Sequence, residues 1–169
     1  MFIDVTVISI LLTLLCRGNP ISVIEYPYRF LYLFPVPLAF QLISFLLPGA
    51  GSFFNIASYL MVIALMVSNF HIPGVPYMTI GTVSNTIAVL FGKGRMPVVR
   101  SVAEYIGIYS VDAKHVFVET PKEALFLGDI TIVYFPWGRS FVVSIGDLLI
   151  ALGLMVFFLS SLRQKNLVS

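Results

Sequence analysis

Four residues in the second half of the chain have the chemistry of a polar site: Asn85, Arg95, Asp129 and Asp147. Both aspartates stand in apolar surroundings and directly follow a glycine, in Leu127-Gly128-Asp129 and Ile145-Gly146-Asp147. A carboxylate at membrane depth is expensive to keep charged, and a neighbouring glycine lets a backbone or a ligand approach closely. Each residue also has a structural role that weighs more than a ligand role. Ser144-x-x-Asp147 has capping-box spacing, with Asp where Glu is usual, and such a pair stabilises a helix N-terminus through unpaired amides and the helix dipole. Asp129 suits an ion pair with Lys93, Arg95 or Arg139. Arg95 either binds an anionic headgroup or substrate, or snorkels and pairs with one of the aspartates. Asn85 suits a hydrogen bond between helices, with a ligand or ion role as the alternative.

The familiar catalytic sets are missing. His71 and His115 are the only histidines, and a five-helix topology puts them on opposite sides of a membrane, where no histidine pair or three-ligand zinc site forms. The single cysteine, Cys16, excludes an internal disulfide and a thiolate metal cluster, and a packed or lipid-facing thiol outweighs acylation. Gly92-x-Gly94 follows a helix where a phosphate-cradling loop would follow a strand. Ser140, His115 and Asp129 could be written as a triad, but no nucleophile elbow supports it. The expectation is no catalytic residue, no metal and no cofactor, and a binding module rather than an enzyme.

These residues must be positioned by a chain that is 59% hydrophobic and 11% charged, with a mean hydropathy of +0.99. Too little polar surface exists to cover an ordinary soluble core, so the composition indicates an integral membrane protein. The net charge of +2 is small and the basic residues are scattered, which excludes a nucleic-acid footprint. Five apolar stretches, 2–16, 28–47, 52–70, 77–91 and 144–162, read as membrane helices. They are divided by Arg17-Gly18-Asn19-Pro20, by Pro48-Gly49-Ala50-Gly51, by His71 to Pro76 and by the long segment 93–139. Pro35 and Pro37 predict a kink in the second helix. On the fourth, Gly81, Ser84, Asn85, Ala88 and Gly92 recur at spacings of three and four, a small and polar strip that should face protein.

Most formal charges fall within 93–139. Pro97 to Gly107 reads as a short amphipathic interfacial helix begun by its proline. Ser110 to Glu123 is a strand or an irregular loop. Ala124 to Phe135 is too short to span and too apolar for water, so it should pack on the helices or dip part-way into the bilayer. Tyr109, Tyr134 and Trp137 suit an interfacial belt. The fold expected is therefore all-α, a single membrane domain of five transmembrane helices with a folded loop between the fourth and fifth. Counting Arg17, Arg29, Arg163 and Lys165 against the six basic residues of that loop slightly favours a cytoplasmic loop. The first helix argues the reverse, because Asp4 precedes it and Arg17 follows it, which puts the N-terminus outside and the C-terminus in the cytoplasm.

The run from Asn85 through Gly92-Lys93-Gly94-Arg95-Met96-Pro97-Val98, with Leu127-Gly128-Asp129, Ser144-Ile145-Gly146-Asp147 and the pair Arg17-Gly18, resembles a bacterial family of multi-helix membrane proteins of unknown function. That family reads Asn, a spacer and Asn-Gly-Gly-x-Met-Pro-Val, followed by Leu-Gly-Asp and Ser-x-Gly-Asp. Gly92 stands where the family has Asn and Lys93 where it has Gly, so the polar role of that Asn does not carry over. The resemblance implies a bacterial inner-membrane location with the N-terminus outside, and implies no activity. The leading functional expectation is a non-enzymatic module in which Asn85, Arg95, Asp129 and Asp147 converge on a site for a small polar ligand, ion or lipid headgroup. A subunit of a larger membrane complex, recognised through 97–139, comes second, and a lipid-acting enzyme third.

Overall fold

The computed structural model describes residues 1–47, 50–112 and 114–162. Pro48 and Gly49 of the expected short return, and Arg163 and Lys165 of the charge count, lie outside the described residues. The elements in order are α1 (Phe2–Leu15), α2 (Pro35–Leu46), α3 (Gly51–Ser68), α4 (Val75–Phe91), β1 (Met96–Val99), α5 (Arg100–Tyr105), β2 (His115–Val118), β3 (Thr131–Tyr134), β4 (Ser140–Val143) and α6 (Ile145–Leu159), with 3-10 turns at Pro20–Glu25 and Leu31–Leu33.

The all-α, five-span expectation is overturned on two counts. Among the described residues only α3, 18 residues long, is long and apolar enough to cross a membrane; the other apolar helices fall short. The 14 residues of α1 rise about 21 Å and the 15 of α6 about 22 Å, against a hydrocarbon core of about 30 Å. The chain is also not all-α: the loop builds two small sheets, β1 with β2 in parallel and β3 with β4 antiparallel, and of the two alternatives for Ser110 to Glu123 the strand is realised as β2.

Local chemistry explains where the elements begin and end. Pro35 and Pro37 do not kink a helix interior; they occupy the first turn of α2, where a missing N–H leaves no bond unmade. Asn19 accepts from the Ile21 amide at 3.1 Å and starts the 3-10 turn that follows α1. The buried Asn69 ends α3 and grips the earlier chain, accepting from the Arg29 amide at 2.7 Å and donating to the Arg29 carbonyl at 3.0 Å. Pro97 does not start a helix but lies within β1. There its carbonyl accepts from the Asp129 amide at 2.8 Å, while the Val99 amide donates to the Asp129 carbonyl at 3.0 Å. β1 is thus bonded on both sides, by β2 and by Asp129, and α5 is a six-residue crossover between parallel strands.

The helices touch in the sequence α1 to α6, α6 to α4, α4 to α3 and α3 to α2. The closest approach is α4 against α6. A Cβ added at Gly81 would strike the carbonyl of Gly146, one at Gly74 the carbonyl of Gly153, and one at Gly153 the side chain of Met78. Elsewhere the interfaces are filled by small hydroxyl residues. Ser9, Thr13, Thr79, Thr82 and Thr86 are buried and donate to the carbonyl four residues earlier, and Ser58 donates to the Pro37 carbonyl at 2.9 Å. Large apolar side chains such as Ile3, Leu15, Leu38 and Phe53 point outward.

If backbone contact between α4 and α6 holds the fold, Gly81→Val should destabilise it by about 1–3 kcal/mol through overpacking. Val83→Ala, on the exposed side of the same helix, should stay within about 0.5 kcal/mol of the parent. Thermal unfolding measures both.

Candidate functional site

The close packing of α4 and α6 positions the polar residues. Gly146 has no side chain to obstruct the Asn85 amide group, which a Cβ at that position would overlap. Asn85 Nδ2 therefore reaches Asp147 Oδ1 at 2.8 Å, and Asn85 Oδ1 accepts from Ser144 Oγ at 2.7 Å. The capping box closes the ring: Ser144 Oγ accepts from the Asp147 amide at 2.9 Å, and Asp147 Oδ2 accepts from the Ser144 amide at 3.2 Å. Asp147 thus both caps α6 and bonds across to α4, and both of its oxygens are engaged.

Asp129 sits differently. Its backbone is stitched to β1, and Gly128 lets the chain lie against the Pro97 carbonyl without a clash. Its side chain is 7% exposed, and Oδ1 has no hydrogen-bond partner. Burial, followed by the nearby charge of Asp147, pushes its carboxyl up to about 8. The expected ion pair does not form. Lys93 and Arg95 make none with it, and Arg139 Nη1 instead donates to Asp4 Oδ1 at 2.9 Å. Trp137 Nε1 donates to the same Asp4 oxygen at 2.9 Å, fastening the β3–β4 turn to α1.

Asn85, Asp129 and Asp147 line one cavity of about 240 Å³. Every long helix contributes a side chain to it, through Phe2, Gln41, Asn55 and Tyr59 as well as Asn85 and Asp147, and the strands close it with Met96, His115 and Val142. Lys114, beside β2, enters the same wall and donates to Gln41 Oε1 at 3.3 Å. His115 Nδ1 is 2.5 Å from Asp112 Oδ1. Arg95 does not join this group. It lines a neighbouring cleft of about 380 Å³ with Lys93, Lys114, Ser52 and Asn55, and makes no ion pair with Asp129 or Asp147. Among the described residues, no group of three His, Cys, Asp or Glu is placed to hold a metal ion.

Sequence reasoning missed Gln41, Asn55, Lys114 and His115. Gln41 and Asn55 left a signal, since each is an amide inside an otherwise apolar helix, where polar side chains face protein. Lys114 and His115 left none, because only the pairing of β1 with a four-residue strand brings them to the helices.

Fold and site together define a small helical protein whose helix ends and a β-α-β cap enclose a polar cavity with two carboxylates. The chain belongs to a family of unknown function (DUF5317), which it matches over residues 25–159. It is 37% identical over 170 residues to an uncharacterised protein of Thermotoga maritima, an alignment covering 98% of this chain and 95% of that one. No solved structure matches it.

Two outcomes test this geometry. Ser144→Ala removes a helix cap and the Asn85 bond together and should cost about 1–2 kcal/mol in thermal unfolding. Asp129 holds its proton to about pH 8 when folded and has an ordinary value of 3.8, so the native state binds the extra proton between these limits. Its contribution to stability is full below about pH 4, falls as pH rises and is gone above about pH 8. Asp129→Asn cannot titrate. Its stability relative to the parent should therefore rise by about 2 kcal/mol or more between pH 5 and pH 8.5, measured by unfolding at both values.

Proposed function

We propose that this is a membrane-embedded, non-catalytic binding protein, and that the cavity lined by Asn85, Asp129 and Asp147 holds a small polar ligand. One observation carries the ligand reading: Asp129, almost wholly buried in the cavity wall, has an oxygen without a donor. A buried polar atom left unpaired costs about 1–3 kcal/mol, and a cavity beside it gives a donor somewhere to sit. Both Asp147 oxygens are committed to Asn85 and Ser144, so Asp147 serves the fold and Asp129 is the carboxyl left to meet a ligand.

The membrane reading is supported by where polar and apolar side chains lie. Serines, threonines and asparagines fill the helix interfaces, while Leu, Ile and Phe side chains face outward from α1, α2 and α3. This is the distribution of helices packed in lipid, where small residues let backbones approach and large apolar ones meet acyl chains. We place the protein in the bacterial inner membrane, with the N-terminus outside. A second reading, assembly with a protein partner through residues 97–139, draws on the exposed Tyr105, Tyr109, Phe126 and Trp137 of that segment.

Native mass spectrometry of the protein extracted in mild detergent should reveal a retained non-protein mass, reduced about tenfold in Lys114→Met and in Asp129→Asn. Bare protein alone would sink the ligand reading, and obligate recovery with a second protein would favour the partner reading.

A further inference from the structure

The cavity and the neighbouring cleft differ in charge, and they share a wall. The cleft is lined by Lys93, Arg95 and Lys114 together with Ser44, Ser52 and Asn55, and among the described residues no carboxylate lines it. The cavity carries Asp129 and Asp147, with Lys114 and His115 at its β2 side. Asn55 and Lys114 belong to both. A ligand that crosses this wall meets cations at one end and, at the other, the Asp147 carboxylate and the Asp129 carboxyl, which keeps its proton while no cation stands beside it. An anion joined by a short link to a cation fits, its positive charge taking the place of that proton. Building on the ligand reading above, we propose that the site binds a phosphoethanolamine group, its phosphate in the Lys93–Arg95 cleft and its primary ammonium beside Asp129 in the cavity.

Each half of the group answers a feature of the site. Arg and Lys are the side chains suited to phosphate oxygens, Arg through its planar fork and Lys as a point charge. Among the described residues neither Lys93 nor Arg95 is drawn into an ion pair within the fold. An ammonium brings three N–H donors, and the cavity wall offers it the Asp129 carboxyl, which is buried with Oδ1 unpartnered. A trimethylammonium has no N–H and cannot satisfy that oxygen. Its usual recognition is an aromatic cage, whereas among the described residues Phe2 and Tyr59 are the aromatic rings in this wall besides the imidazole of His115. A glycerol headgroup would bring hydroxyls but no positive charge to two adjacent carboxylates.

The same chemistry comes from two sources, a phosphatidylethanolamine headgroup or free phosphoethanolamine. Beside the cleft, Phe45, Leu46, Leu47 and Phe53 are exposed, Phe53 to 70%. They form an apolar margin along which acyl chains would run while the headgroup enters between α2 and α3.

The test uses the full chain in detergent with phosphatidylethanolamine, phosphatidylcholine or phosphatidylglycerol of matched acyl chains, and separately with free phosphoethanolamine. Binding is read by native mass spectrometry and by the shift in thermal unfolding. The ethanolamine lipid should bind at least tenfold tighter than either of the others. Arg95→Gln, at an exposed position, should weaken it about tenfold, and the isosteric Asp129→Asn should abolish its advantage over the choline lipid. A shift with free phosphoethanolamine as large as with the lipid supports the chemistry and assigns a soluble source; a shift with the lipid alone supports it and assigns the membrane. Equal binding of the three lipids, or an Arg95→Gln variant that binds as the parent does, overturns the headgroup assignment. If no probe binds yet another small mass stays with the protein, the assignment fails and the ligand reading stands; if no small mass is retained, both fail.

Discussion

The structure depends on backbone-to-backbone contact between α4 and α6. Gly74, at the N-cap of α4, and Gly81 within it lie against Gly153 and Gly146 of α6, so closely that a single methyl group would meet a backbone carbonyl at all four positions. This contact draws Asn85 onto the N-terminus of α6. At any ordinary helix separation the asparagine would be too far from Ser144 and Asp147 to share their hydrogen bonds. One geometric condition, the absence of four side chains, thus sets both the helix packing and the polar ring. The ring in turn determines where α6 begins, because Ser144 can cap the helix only while its hydroxyl is held in place.

Asp147 and Asp129 then take opposite parts, although each follows a glycine in an apolar stretch. The first has both oxygens engaged by the ring. The second is buried with one oxygen unpaired, and the charge of the first adds to the burial that keeps it protonated. Two carboxylates sharing one wall cannot both be comfortable as anions. The asymmetry follows from backbone placement: Asp147 lies at a helix N-terminus rich in donors, whereas the amide of Asp129 is already spent on β1.

Much of this was legible in the sequence where the information is local. The capping box of Ser144 and Asp147 is visible in four residues, and the small strip on α4 marks the face that Gly81 and Asn85 bury. The stop signals around Gly18 and Gly74 separate the helices. What could not be read depends on partners remote in the chain. Pro97 reads as a helix start because its own neighbourhood permits one, yet β1 exists through bonds to Lys114 and Asp129. Arg139 stands ten residues from Asp129 and is a natural partner by proximity, yet it pairs with Asp4, 135 positions away. The number of spans failed for a different reason. Apolar length along the sequence includes the capping turns, whereas the helices stop short of them, and a few residues lost at each end take a stretch below the thickness of a bilayer.

Those short helices bear on the cap. On the membrane reading proposed above, a helix too short for the bilayer leaves its end and its unpaired backbone groups at the level where lipid offers no hydrogen bonds. Here the ends of α2, α4 and α6 do not face outward unprotected; they converge with the two small sheets around a polar cavity. The sheets would be marginal alone, at two strands and four residues each. They persist because the helices support them: Met96 of β1 packs with Ala88 and Val89 of α4, and the β3–β4 turn is fastened to Asp4 of α1. Cap and helices therefore stabilise one another, and the cavity at their junction is a consequence of how short helices are closed over.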